Sequence, residues 1–179
     1  MSAPHSVLVL CTANVFRSPL ASHLLAATAG TGLVFSSAGL RAREGDPVAE
    51  TVRDLLVQRG IDVSGFRSRR VTDALLAGAG TVIAMTRAEL SDALRLRPRA
   101  LSSAVTLGEL AAAADHLGEA EWDALVSTAI ARRGTTDVED LVDPSAAGPK
   151  VTSDVAARIV DLTDAIGRSA GAAVTARRR

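Results

Sequence analysis

The stretch Val7-Leu-Val-Leu-Cys11-Thr-Ala-Asn14-Val-Phe-Arg17-Ser18-Pro19-Leu-Ala21 decides the fold. Val7–Leu10 is a short unbroken run of valine and leucine, the pattern of a strand buried on both faces of a parallel sheet. A polar turn follows, then Pro19. Proline suits the first turn of a helix, where its missing N–H would have had no intrahelical partner. Ser18 before it is expected to act as the N-cap. Leu20, Leu24 and Leu25 continue a helical stripe to about Ala29, where Gly30 and Gly32 stop it.

Working outward, the alternation repeats. Leu33–Ser37 reads as a strand ended at Gly39. Asp46-Pro47 is expected to open a helix with Val48, Val52, Leu55 and Leu56 at helical spacing, closed by Gly60. Ser64–Arg70 is a polar loop, and a short helix follows Thr72. Thr81–Met85 is another buried strand, Ala88–Leu96 a helix halted by Pro98, and Ala104–Leu107 a fourth strand. Glu109–Leu117 and Glu119–Arg132 are helical patterns, and Arg133–Thr136 is a loop. Val155, Ile159, Leu162 and Ile166 mark the last helix. Strands alternating with helices predict a doubly wound α/β fold, three layers with a four-stranded parallel sheet between helices. With 179 residues and no linker or repeat, residues 1–179 are expected to form one domain, with 172–179 a frayed tail.

Composition excludes several classes. Lysine plus arginine equals aspartate plus glutamate, 20 against 20, so no bulk charge draws the chain to nucleic acid or a membrane. One cysteine permits no internal disulfide, and no stretch reads as a signal peptide or spanning helix, so the cytoplasm is the expected compartment. The three histidines, His5, His23 and His116, show no metal-ligand spacing with Cys11 or with one another, so no metal or other cofactor is expected.

The loop between the first strand and helix carries the chemistry. A loop wrapped around a dianion aims several N–H groups inward, and the helix that follows adds positive potential. The same groups favour a thiolate over a thiol at their focus, which makes Cys11 a nucleophile. Arg17 supplies a planar fork able to grip two phosphoryl oxygens and to follow them into the transition state. The phosphate cradle is then Thr12, Ala13, Asn14, Val15, Phe16, Arg17 and Ser18. Ser18 can donate to the thiolate, and Asn14 tolerates a left-handed backbone angle. Release of the ester oxygen needs a proton, for which Asp137, Glu139, Asp140 and Asp143 are candidates.

The sequence from Val7 to Ala21 resembles the N-terminus of the low-molecular-weight protein tyrosine phosphatases. The likeness continues through Ser36-Ser-Ala-Gly39, Arg59-Gly-Ile-Asp62, Ser68-Arg-Arg-Val-Thr72, Ile83-Ala-Met-Thr-Arg87 and Val142-Asp-Pro144. It lapses over Ala111–Asp140, where this chain is longer. The resemblance implies a phosphocysteine mechanism on Cys11, with Asp143 as general acid and base and Ser37 bracing Asn14. It implies a phosphorylated protein as substrate, phosphotyrosine first, and Val15 fits tyrosine-directed members. It leaves the oligomeric state open. Two alternatives share the cradle: arsenate reduction with an external small thiol, and a phospho-ligand-binding module without turnover.

Departures from the family pattern are specific. Ala13 stands for a glycine and Phe16 for a second cysteine, so oxidised Cys11 has no internal thiol to protect it. Phe66 stands where a histidine often braces Asn14. Ser145 stands where an aromatic ring often walls the substrate slot. The opposite wall is expected from Leu40-Arg-Ala-Arg-Glu44, where Arg41 and Arg43 read as solvated surface arginines, with contact to an acidic substrate or a ring as the alternative. Trp122 is expected in the core.

Overall fold

The computed structural model describes residues 4–176, with side chains as far as Gly171. Four strands are present among the described residues: β1 (His5–Cys11), β2 (Leu33–Gly39), β3 (Thr81–Ala84) and β4 (Ala104–Thr106). They form one parallel sheet in the order β2-β1-β3-β4. Among the described residues seven α-helices flank it: α1 (Arg17–Thr28), α2 (Glu50–Gln58), α3 (Asp73–Ala77), α4 (Arg87–Leu96), α5 (Leu107–Leu117), α6 (Trp122–Ala131) and α7 (Pro149–Ala176).

Side-chain alternation along β1 builds the three layers. Val7, Val9 and Cys11 point to one face, where they join Leu20, Leu24 and Leu25 of α1, Leu110 of α5, Leu125 of α6 and Ile159 of α7. Leu8 and Leu10 point to the other, against Leu76 of α3 and Leu90 and Ala93 of α4. Both faces are covered, which is why these strands read as continuous apolar runs. The chain runs outward from β1 to β2 and then returns across to β3. The switch point therefore lies at the C-terminal end of β1, where Cys11 sits, and crevices in such sheets open there.

Three boundaries differ from expectation. Helix α2 begins at Glu50, not at Asp46-Pro47. The Asp46 carboxylate accepts from Arg43 and its N–H donates to Ser68 Oγ at 2.9 Å, so this stretch is tied into the loop instead. Helix α6 begins at Trp122, three residues late. Trp122 is buried, meets Phe35 edge to face at 5.6 Å and donates from Nε1 to Thr81 Oγ1 at 3.1 Å, so it anchors the helix start in the core. The last helix runs on to Ala176 through most of the expected frayed tail, and residues 177–179 lie outside the described residues. Among the described residues no helix is long and apolar enough to cross a membrane.

Candidate active site

Residues 12–16 join β1 to α1, and Asn14 sets their path. Its φ of 57° is the one positive value outside glycine among the described residues. Asparagine tolerates that left-handed turn better than most residues. The buried side chain is bonded on both ends. Nδ2 donates to Ser18 Oγ (3.0 Å) and Ser37 Oγ (2.8 Å), and Oδ1 accepts from the Arg69 N–H (3.0 Å). Gly39 clears the space. A Cβ there would stand 2.7 Å from the Thr12 carbonyl and 2.9 Å from the Asn14 nitrogen, closer than carbon tolerates.

This path folds the loop around Cys11. Its Sγ accepts from the Asn14 N–H at 3.3 Å and lies 3.0 Å from Ser18 Oγ. The Ser18 hydroxyl is therefore spent on the loop. It does not cap α1, which starts one residue earlier at Arg17 and has no side-chain cap. The N–H groups of Val15, Phe16, Arg17 and Ser18 meet no protein acceptor among the described residues. Four unpaired donors at a helix start are what an anion needs.

Arg17 is only 2% exposed and is held on every side. Its guanidinium pairs with Glu89 (3.0 Å) and Asp143 (2.8 Å) and donates to the Leu141 carbonyl (2.9 Å) and Thr12 Oγ1 (3.2 Å). A buried guanidinium demands such partners, because its charge would otherwise lie uncompensated. Glu89, itself buried, also accepts from Thr12 Oγ1 at 2.7 Å and from Thr86 Oγ1 at 3.2 Å. Nothing in the sequence reading assigned Glu89. The available signal was Thr86-Arg-Ala-Glu89, a capping pattern at the start of α4.

Asp143 enters from the other side. It caps a short 3-10 turn, Pro144–Ala146, with Oδ1 accepting the Ser145 N–H at 3.0 Å, while Oδ2 faces Arg17. Burial works to raise its pKa, but the Ser145 N–H and the Arg17 charge outweigh it and hold the carboxyl below the usual carboxylate range. Asp140 accepts from the Arg87 N–H at 2.9 Å, and neither it nor Asp137 or Glu139 lines the cleft with Cys11.

The cleft holds about 300 Å³ and brings Cys11, Arg17 and Asp143 together over Ala13, Val15 and Phe16. Thr12, Asn14, Ser18 and Ser37 stand behind it as supports. Its walls are small. Ser145, as expected, and Ala147 stand on one side, but the other is Ala49 and Thr51, not residues 40–44. Arg43 is pinned to Asp46 and Arg41 is exposed away from the cleft, because the Ala49 N–H bonds the Val15 carbonyl and seats the start of α2 against the loop. Phe66 does no bracing and packs edge to face on His23. Arg69 supplies the brace, with its Nε also donating to the Ser37 carbonyl. A larger cleft of about 720 Å³ between α5, residues 136–139 and α7 contains none of these groups. Chemistry, not size, marks the smaller one.

A thiol that accepts from a loop amide, beside an arginine paired with a carboxylate in the same cleft, is an arrangement suited to a cysteine-dependent phosphatase. Residues 6–123 match the family model described as low molecular weight phosphotyrosine protein phosphatase, and the chain belongs to that family. A probable low molecular weight protein-tyrosine-phosphatase EpsP of Ralstonia solanacearum is 32% identical over 105 residues, 59% of this chain and 72% of the relative. A protein-arginine-phosphatase of Geobacillus stearothermophilus is 30% identical over 112 residues, 63% and 75%. In fold, the chain is similar to the YwlE arginine phosphatase structure from that organism (TM-score 0.71, 24% identity, 92% and 91% covered) and to Vibrio vulnificus Wzb (0.67, 18%, 91% and 97%). The family match ends before Asp143, so that residue stands on its position in the cleft.

Proposed function

We propose that this chain hydrolyses phosphomonoesters on proteins, phosphotyrosine first, through a phosphocysteine on Cys11. The carrying observation is the convergence of Cys11, Arg17 and Asp143 on one cleft. The Cys11 thiolate attacks phosphorus as the ester P–O bond breaks. Arg17 and the free amides of Val15–Ser18 hold the equatorial oxygens. Asp143 gives its proton to the leaving oxygen, then takes one from the water whose oxygen displaces sulfur. The Ser18 hydroxyl, 3.0 Å from Sγ, stabilises the departing thiolate. A bound dianion draws the Arg17 fork away from Asp143, and its own charge raises the carboxyl toward its protonated form. Substrate binding thus arms the acid. No metal or other cofactor enters these steps, and an uncompensated lone thiol suits a reducing compartment such as the cytoplasm.

A second reading, phosphoarginine, is favoured by the walls. The side walls Ala49, Thr51 and Ser145 carry no ring, which leaves Phe16 of the loop as the aromatic group in the lining and forgoes about 0.5–1.5 kcal/mol per ring pair at the walls. Initial rates on phosphotyrosine, phosphoarginine and phosphoserine peptides, with Cys11→Ser as control, decide between them. A thiol-coupled arsenate assay forms a further arm. Equal loss-free rates in Cys11→Ser, or peptide binding without turnover by the wild type, would sink the hydrolase reading.

A further inference from the structure

A second pocket, of about 330 Å³, lies behind the loop asparagine, between α1, the β2 edge and residues 65–69. Its lining includes Arg67, Arg69, Ser36, Ser22 and His23, and no aspartate or glutamate. Arg17, Arg43, Arg53, Arg95, Arg97 and Arg133 each meet a carboxylate. Arg67 and Arg69, like several other arginines, meet none, but these two share one small space. Each is held by main-chain carbonyls alone. Arg67 donates from NH1 to Ser64 (3.1 Å) and Phe66 (2.5 Å), and Arg69 from Nε to Ser37 (2.9 Å). Their remaining N–H groups and the Ser36 hydroxyl have no protein acceptor among the described residues.

Two guanidiniums lining one concavity repel unless an anion lies between them. The carbonyls fix the forks and leave their outer N–H groups free, an arrangement matched to a tetrahedral oxyanion. We infer that this pocket is a second anion site, taking a small free oxyanion such as inorganic phosphate on Arg67, Arg69 and Ser36. It rests on none of the catalytic steps, but it adjoins them. The Arg69 N–H holds Asn14 Oδ1, and the carbonyl gripped by Arg69 belongs to Ser37, whose hydroxyl holds Asn14 Nδ2.

Titration of the full chain with inorganic phosphate, followed by amide NMR, tests it. The expected result is two isotherms: one at Ala13 and Val15 in the cradle, another with its own midpoint at Ser36, Gly65 and Arg67. Combined Arg67→Ala and Ser36→Ala should weaken the second about three- to tenfold, the loss of charge-assisted bonds at a partly exposed site, and leave the first unchanged. Amides of Ser36, Gly65 and Arg67 that stay still at tens of millimolar phosphate overturn the inference. So does a shift at those amides that follows the cradle midpoint in wild type and variant alike. Titration of the pocket without the cradle would uphold this site and count against the phosphatase reading instead.

Discussion

Two helices of this protein begin with the same words and use them differently. Helix α5 opens on Thr106-Leu-Gly-Glu109 and α4 on Thr86-Arg-Ala-Glu89. In both, the threonine hydroxyl accepts the glutamate N–H at 3.1 Å. At α5 the glutamate returns the bond, its Oε2 accepting the Thr106 N–H at 2.8 Å, and it also pairs with Arg133. The box closes and the residue serves the fold. At α4 the carboxylate turns away from the main chain to Arg17 and Thr12. The difference comes from what lies beyond the helix start. Past α4 lies a buried guanidinium that a nearby charge must balance. A capping pattern therefore locates a helix start without telling where its acid points.

That contrast is open to attack in order of effect. Asp143 is the other acid on Arg17, and Asp143→Asn should lower kcat about 10²–10⁴-fold and remove the alkaline limb of the pH profile, while Asp140→Asn leaves both in place. Because the folded carboxyl is held below its ordinary range, its bonds to the Ser145 N–H and to Arg17 stabilise the fold above that range. The contribution is lost as pH falls through the lowered value, so the Tm gap between wild type and Asp143→Asn should narrow in acid. A gap that widens there would contradict the assignment. Next, Arg17→Lys should cost about 10²–10³-fold in kcat/KM, since a point charge cannot span two oxygens. Arg133→Lys, at the α5 counterpart, should leave kcat/KM alone. Third, Glu89→Gln should lower kcat/KM about tenfold, mostly through KM and vanadate affinity, from one weakened charge-assisted bond. The matching Glu109→Gln should cost about 1 kcal/mol of stability by denaturant melting and no activity. Equal activity losses at Glu89 and Glu109 would erase the distinction. The smallest effect is expected from Ser145→Tyr. A ring there should improve KM for phosphotyrosine peptides by about two- to tenfold.

Much of this was legible in residues 7–21. Unbroken Val-Leu runs mean strands covered on both faces, and a Cys, five residues, an Arg and a helix start mean an anion loop. Local rules suffice there because the loop is contiguous. They fail where partners come from afar. Ser18 reads as a cap, yet Cys11 and Asn14 claim its hydroxyl. Residues 40–44 read as a wall, yet Ala49 and Thr51 form it, since the Ala49 bond to Val15 draws α2 inward. Glu89 and the Leu141 carbonyl lie 72 and 124 residues from Arg17, and no spacing rule reaches that far. Asp143 was found only through likeness to relatives, because an Asp-Pro turn is common.

The long last helix has a consequence of its own. At their starts α1 and α7 both border the cleft, through Phe16 and Arg17 on one side and Ala147 and Thr152 on the other. At their far ends they meet where Gly167 and Gly171 of α7 leave no room for a Cβ beside Thr28. The two helices thus run side by side in the same sense, with like macrodipole ends together, an arrangement that is repulsive in itself. Two glycines let the backbones close to where packing outweighs that repulsion. The positive ends of both are thereby held beside the cleft that the proposed dianion would enter, and part of its field is maintained from the distal end of the helix pair.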